Sequence, residues 1–183
     1  MRKLVAVLVL AACGGSSIPN RATVTGAVAG TPLVAQNAAA IVVHGSVAPT
    51  VDVLVSNIAD GCGADAANLK GKQVLSFGIT SLSGSALAAG DFGVYDQQSG
   101  TIPSGTVVFA DYHSTTAACG DSTPPNTLGA SGHVTVTKMN VGAGGEVAGT
   151  FDLFLQNGDR LKGSFDAPVC GDLPAGGADA GCH

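Results

Sequence analysis

Along residues 22–170 the apolar positions recur every second residue, the period of a half-buried strand rather than of a helix. In 50–57, Val51, Val53 and Val55 share one face, and Asp52, Leu54 and Ser56 share the other. In 73–81, Leu75, Phe77 and Ile79 alternate with Val74, Ser76, Gly78 and Thr80, and in 131–139 Val134 and Val136 fall together. Residues 23–28 open the body, and 41–44 and 91–95 are shorter candidates. Residues 104–112 are apolar on both faces, with Val107 and Phe109 on one and Val108, Ala110 and Tyr112 on the other, which predicts a central strand. Separators rich in Gly, Ser, Asn, Asp and Pro complete the pattern of an all-β chain of about eight to nine strands. An antiparallel β-sandwich fits best, with a closed calycin-like β-barrel as the alternative. The one helix candidate is a turn or two near 65–69, and 117–130, with Pro124-Pro125-Asn126, reads as a long loop.

The sharpest local expectation is a hairpin over 145–169. Val147, Gly149, Phe151, Leu153 and Leu155 on one arm, and Leu161, Gly163, Phe165 and Ala167 on the other, are all odd-numbered. Residues opposite each other point to one face, so a two-residue Asn157-Gly158 turn would set Leu155 against Arg160 and break the pattern. A three-residue loop, Gln156-Asn157-Gly158, preserves it as a type I turn with Gly158 left-handed in a G1 bulge. Phe151 then faces Gly163, Phe165 faces Gly149, Asp152 meets Lys162, Thr150 meets Ser164, and Phe154 lies opposite Arg160. Asp152 and Asp166 are placed on the outer face.

The N-terminus carries a different message. Arg2 and Lys3 precede an unbroken apolar run over 4–10, and Ala11-Ala12 precede Cys13. This is a signal-peptide layout, with a run too short to span a bilayer, which takes about 20 apolar residues. Leu10-Ala11-Ala12-Cys13 resembles the bacterial lipobox. The resemblance implies cleavage before Cys13, a diacylglycerol on its thiol and an acyl chain such as palmitate on the new amino group. More than one chain gives stable anchoring where one is marginal. Residues 1–12 are then the signal peptide, 13–21 a lipidated tether, 22–170 a single β domain and 171–183 a Gly/Ala-rich tail. Gly14 after the cysteine, where Asp would signal retention, places the protein in the outer membrane of many Gram-negative bacteria. Loss of Arg2 and Lys3 moves the formal charge from −5 by two further units, to −7. The six remaining cations are scattered, which argues against nucleic acid as a partner. The membrane is the expected partner through Cys13, joined by an envelope protein or, for the barrel, a small apolar ligand.

Of the five cysteines, lipid takes Cys13, and an exported chain is then expected to pair Cys62, Cys119, Cys170 and Cys182 in two disulfides. Three connectivities are open; the reading favours Cys62 with Cys119 and Cys170 with Cys182, the second pinning the tail to the last strand. A Cys/His metal site is not expected, for there is no Cys-x-x-Cys and no close His pair.

Gly149-Thr150-Phe151-Asp152 and the run Gly163-Ser164-Phe165-Asp166-Ala167-Pro168-Val169-Cys170 resemble the ending of lipoproteins from myxobacteria and related bacteria. Ser56-Asn57-Ile58-Ala59-Asp60-Gly61-Cys62 is similar to their mid-chain cysteine segment, and Gly26-Ala27-Val28-Ala29-Gly30 fits as well. The resemblance implies an exported lipoprotein and supplies no catalytic residue.

Catalytic motifs are sparse. Gly129-Ala130-Ser131-Gly132-His133 lacks the last glycine of a nucleophile elbow and reads as a turn. Gly142-Ala143-Gly144-Gly145 precedes no helix that could present its N-terminus to phosphate and reads as a hairpin loop. Asp111-Tyr112-His113 is the most suggestive cluster for acid–base work, as a hydrolase would need, but a solvated strand end is the favoured reading of it. His44 and His133 sit at expected strand boundaries, and no Asp-x-Asp-x-Asp calcium loop occurs. The expectation is therefore a non-enzymatic, lipid-anchored structural or interaction module of the cell envelope, with no cofactor, metal or catalytic residue assigned.

Overall fold

The computed structural model describes residues 21–43, 48–62 and 70–170. The leader, Cys13, His44, the helix candidate at 65–69, Cys182 and the tail lie outside the described residues. The described residues form eleven strands: β1 (Ala22–Thr25), β2 (Ala27–Val28), β3 (Thr31–Pro32), β4 (Asn37–Val43), β5 (Thr50–Ser56), β6 (Gln73–Ser81), β7 (Gly90–Gly93), β8 (Thr106–Ser114), β9 (Gly129–Asn140), β10 (Glu146–Leu155) and β11 (Arg160–Pro168). A five-stranded antiparallel sheet, β1-β11-β10-β9-β7, faces a four-stranded one, β4-β5-β6-β8, and β2-β3 is a small ribbon. The fold is an all-β sandwich, not a closed barrel. The strand count exceeds the expected eight to nine because the 23–28 stretch divides into β1 and β2, and β3 is too short to leave a periodic signal; the 91–95 candidate overlaps β7.

Period two builds the interior. Val51, Val53 and Val55 of β5 and Leu75, Phe77 and Ile79 of β6 are wholly buried, and meet Val134, Val147, Leu153, Leu155 and Leu161 from the larger sheet. Phe77 is the hinge of this contact, its ring centroid 5.0 Å from that of Phe151 and 5.9 Å from that of Phe165. Burying each such side chain contributes on the order of 2–3 kcal/mol. With no tryptophan in the chain, three phenyl rings and aliphatic side chains fill the space between the sheets.

The β10–β11 hairpin has the expected register, with Phe151 opposite Gly163, Gly149 opposite Phe165, Asp152 opposite Lys162 and Phe154 opposite Arg160. Gly158 N–H donates to Leu155 C=O at 2.9 Å and Gly158 has φ of +88°, which is the type I turn followed by a left-handed glycine. Each ring lies over a glycine because no side chain fits there. A Cβ on Gly163 would sit 2.6 Å from Phe151 Cζ and 1.9 Å from the Thr23 carbonyl oxygen of the neighbouring strand. On the outer face Asp152 takes more than the expected Lys162. Arg160 grips both its oxygens at 2.7 Å, and Lys162 Nζ lies 2.8 Å away. Those hydrogen bonds hold the Asp152 carboxyl well below the usual range.

Two expectations about the strands change. The stretch Gly129-Ala130-Ser131-Gly132-His133 is not a turn but the start of β9, where the pairing with β10 slips past Ala130; a second slip passes Thr137. The second bulge lets Met139 join Val134 and Val136 on the core side despite its odd number. The strand apolar on both faces, β8, is not central but the last of its sheet. Its free edge is covered instead. Val94 bridges Val108 in parallel, Leu128 bridges Asp111, and Tyr112 N–H donates to Thr127 C=O at 3.1 Å. Tyr95 stacks edge-on against Phe109 at 5.5 Å, which accounts for the second apolar face.

The disulfide pairing is also corrected: Cys62 bonds Cys170, with Cα atoms 5.2 Å apart. The reason lies in the seam between the sheets. Beyond β11 the chain crosses to β4, where Val169 bridges Ala40 and Cys170 N–H donates to Ala40 C=O at 2.9 Å. The segment after β5 folds over the same strand, Gly61 packing so closely on Ala39 that a Cβ would approach to 2.8 Å. Both cysteines therefore arrive at β4. Cys119, at the tip of the loop after β8, is itself disulfide-bonded and so does not serve Cys62.

Candidate functional site

Asp111 and His113 stand two apart on β8 and so share a face. The β6–β8 register places Ser76 opposite Asp111 and Val74 opposite His113, while the β5–β6 register places Asp52 opposite Gly78. These side chains meet on the outer face of the four-stranded sheet. His113 Nε2 lies 2.7 Å from Asp111 Oδ2, and Ser76 Oγ donates to Asp111 Oδ1. Asp52 fits beside them because Gly78 is bare: a Cβ there would stand 3.0 Å from Asp52 Oδ1. Burial, and then the like charge of Asp111, push the Asp52 carboxyl above the usual carboxylate range.

A serine, a histidine and an aspartate are thus in contact, but their order is Ser–Asp–His. Nucleophile activation requires the base between the hydroxyl and the acid, so that the imidazole takes the hydroxyl proton. Here Ser76 gives its hydrogen bond to the carboxylate. The backbone N–H groups beside Ser76 run in the ladders with β5 and β8, so none converges on a developing oxyanion. The imidazole side chain is 69% exposed. What the geometry achieves is a histidine held at a fixed angle on an open sheet face by a carboxylate that is itself held by a serine.

A second Asp–His contact occurs on the larger sheet. His133 Nδ1 lies 3.2 Å from Asp91 Oδ2, and Thr135 Oγ1 donates to Asp91 Oδ1 at 2.8 Å. His133 lies within β9 rather than at a strand boundary, and both side chains are largely exposed. Among the described residues no group of three or more His, Cys, Asp or Glu side chains is placed to hold a metal ion.

A concave site lies elsewhere, where β6 begins and β8 ends. An open groove of about 430 Å³ runs between the β2–β3 ribbon and the loop after β8. Gln73 organises its floor. Its Oε1 accepts from Val34 N–H at 3.3 Å, and its Nε2 donates to Pro32 C=O and to Tyr112 Oη, both at 3.2 Å. The wall is firm because the loop folds back on the strand. Ser122 N–H donates to Ser114 C=O and Thr116 N–H to Gly120 C=O, at 2.9 and 2.8 Å, and Thr115 bridges Asp121. Sequence reasoning placed Ser76 and Asp52 on strand faces but assigned neither to a site, and it did not foresee this groove, since each depends on the pairing of strands far apart in the chain.

Comparison with protein-family models, with curated proteins and with solved structures gives no match for this chain.

Proposed function

We propose that the chain is a lipid-anchored protein of the bacterial cell envelope, held in the outer membrane through Cys13, whose β-sandwich serves as a non-enzymatic interaction module. The anchor rests on Arg2 and Lys3, the apolar run after them and Leu10-Ala11-Ala12-Cys13. The non-enzymatic character rests on one observation above others: the Ser, His and Asp grouping found among the described residues is joined through its aspartate, with Ser76 and His113 both bonded to Asp111. That order fixes a surface and leaves the hydroxyl unactivated. The open sheets remove the ground for an apolar ligand enclosed in a barrel.

The test is metabolic labelling of the full chain with an alkyne analogue of palmitate in a bacterial host, followed by membrane fractionation. Wild-type protein is expected to take label and sediment with outer membranes. Cys13→Ser is expected to lose the label and leave the membrane fraction. Equal labelling of the two proteins would overturn the anchor. A burst of hydrolysis on activated esters that vanishes in Ser76→Ala would overturn the non-enzymatic reading.

A further inference from the structure

We infer that the groove beside Gln73 is a binding site for a neutral saccharide. The inference deepens the interaction-module reading and rests on it, by naming the partner's chemistry. None of the residues lining the groove carries a formal charge at neutral pH; the walls are amides, hydroxyls and the apolar flanks of Pro32 and Pro124. A charged ligand would have to give up its hydration with no counter-charge there. A purely apolar one would bury hydroxyls and amides that need hydrogen bonds. A sugar ring matches both features, with apolar C–H faces and a rim of hydroxyls that donate and accept.

Two observations point to a ligand rather than to an idle surface dip. First, Tyr112 is only 2% exposed, its ring packed in the core, yet it lines the groove. Its Oη accepts from Gln73 Nε2, and that contact leaves the hydroxyl's own hydrogen unspent. The Gln73 carboxamide is committed to Val34, Pro32 and Tyr112, so it cannot turn to take that hydrogen. Second, Ser114 Oγ and Ser122 Oγ lie 3.1 Å apart. Whichever donates, the other keeps a hydrogen that this contact does not use. The groove thus presents donors at set positions on backbone tied down on both sides. Such preorganisation lowers the ordering cost of binding. In an open groove the ligand stays partly solvated, so a dissociation constant on the order of a millimolar is expected.

The chain contains two tyrosines, Tyr95 and Tyr112. Full-length protein in detergent, labelled with 3-fluorotyrosine, therefore gives two fluorine resonances, which Tyr95→Phe assigns. Maltotriose and triacetylchitotriose are the probes, and trigalacturonate is the charged comparison. At least one neutral trisaccharide is expected to shift the Tyr112 resonance saturably and leave that of Tyr95 in place. Tyr112→Phe is read through backbone amide shifts of the 114–124 segment. It is expected to weaken binding by roughly three- to tenfold, the loss of one neutral hydrogen bond. Ser122→Ala, an exposed change that spares the fold, is expected to weaken it in the same direction. The inference fails if neither neutral sugar moves Tyr112 at tens of millimolar, if trigalacturonate binds as tightly, or if Ser122→Ala leaves the titration unchanged. Failure there with palmitate labelling intact removes the saccharide site alone. Binding that survives in unlabelled protein removes the anchor alone.

Discussion

Replacing Cys62 and Cys170 together by alanine tests the seam between the sheets. The two residues are 108 apart in sequence, so their bond closes most of the described domain into one loop. Chain entropy for a loop of that length amounts to about 5 kcal/mol at 25 °C. Cys119 is also disulfide-bonded, so the denatured chain of the variant stays partly constrained. The contacts around the bond persist in the folded variant, since the Cys170 N–H still reaches Ala40 C=O. The expected loss is therefore about 2–4 kcal/mol, within the range seen for native disulfides. Urea unfolding of the full chain without reductant measures it, with a steeper dependence on urea because the denatured variant is more expanded. A loss below about 1 kcal/mol would refute the idea that this bond holds the seam. Connectivity has a separate readout. Trypsin cuts after Lys70, Lys138 and Lys162, so Cys62 and Cys119 fall on different peptides while Cys170 and Cys182 share 163–183. The observed bond ties 163–183 to the peptide of Cys62. Pairing of Cys62 with Cys119 would instead release 163–183 unlinked and refute the structure at this point.

Three further predictions concern packing and charge. Gly163→Ala puts a methyl 1.9 Å from the Thr23 carbonyl oxygen and 2.6 Å from Phe151, and is expected to cost roughly 1–3 kcal/mol in urea unfolding. Gly158→Ala meets open space but keeps φ at +88°, so only the backbone penalty of about 1 kcal/mol is expected; a larger cost at 158 than at 163 would contradict the hairpin packing. The Asp52 carboxyl titrates above its unfolded value of 3.8, so the native state holds the extra proton and stability falls as pH rises through that window. Asp52→Asn should then stabilise at neutral pH and do nothing below 3.8, and a variant less stable at pH 7 would refute the assigned burial. Asp152 has the opposite sign: its pairing with Arg160 and Lys162 stabilises above 3.8 and fades as pH falls toward its depressed folded value. Asp152→Asn should therefore lose stability at neutral pH, with the gap to wild type narrowing but not closing toward the acid end of a pH 2–7 series.

What could be read from the sequence was what local geometry determines. The β10–β11 register followed from parity because only Gln156, Asn157 and Gly158 separate the arms. The inward faces of β5 and β6 followed from alternation alone, as the buried Val53 and Phe77 illustrate. The groupings that bear chemistry did not follow. Ser76 meets Asp111 across a connection that leaves the sheet, contributes β7 to the opposite one and returns, so no turn fixes the register. The same distance hid the groove, whose floor joins Gln73, Tyr112 and Pro32 from three separate segments. The disulfide was misread because nearness in sequence suggested that Cys170 serves the tail. The deciding fact, that Val169 and Cys170 leave their own sheet for β4, is set by packing alone.

A sandwich that does not close into a barrel must protect four edge strands, since an unpaired edge invites another chain. Here each edge has its own remedy. β1 and β7 are only four residues long. β4 is met by Val169 and Cys170, and the Cys62 bond keeps them there. The free edge of β8 is met at Val108 by Val94 and Tyr95 and further along, at Asp111 and Tyr112, by Leu128 and Thr127, so the long loop after β8 is edge cover as well as connection. This division has a consequence for function. The interior is filled by Phe77, Phe151 and Phe165 with their aliphatic neighbours, and the edges are short or covered, so a partner meets this domain most readily on the sheet faces or at an end. The cover over β8 stops near Ser114, opposite Gln73, where the ladder runs out and the loop turns back. The groove opens at that point, where the side chains of Asn57 and Thr123 accept from the Gln73 and Ser114 N–H groups at the strand ends, which accounts for its polar character.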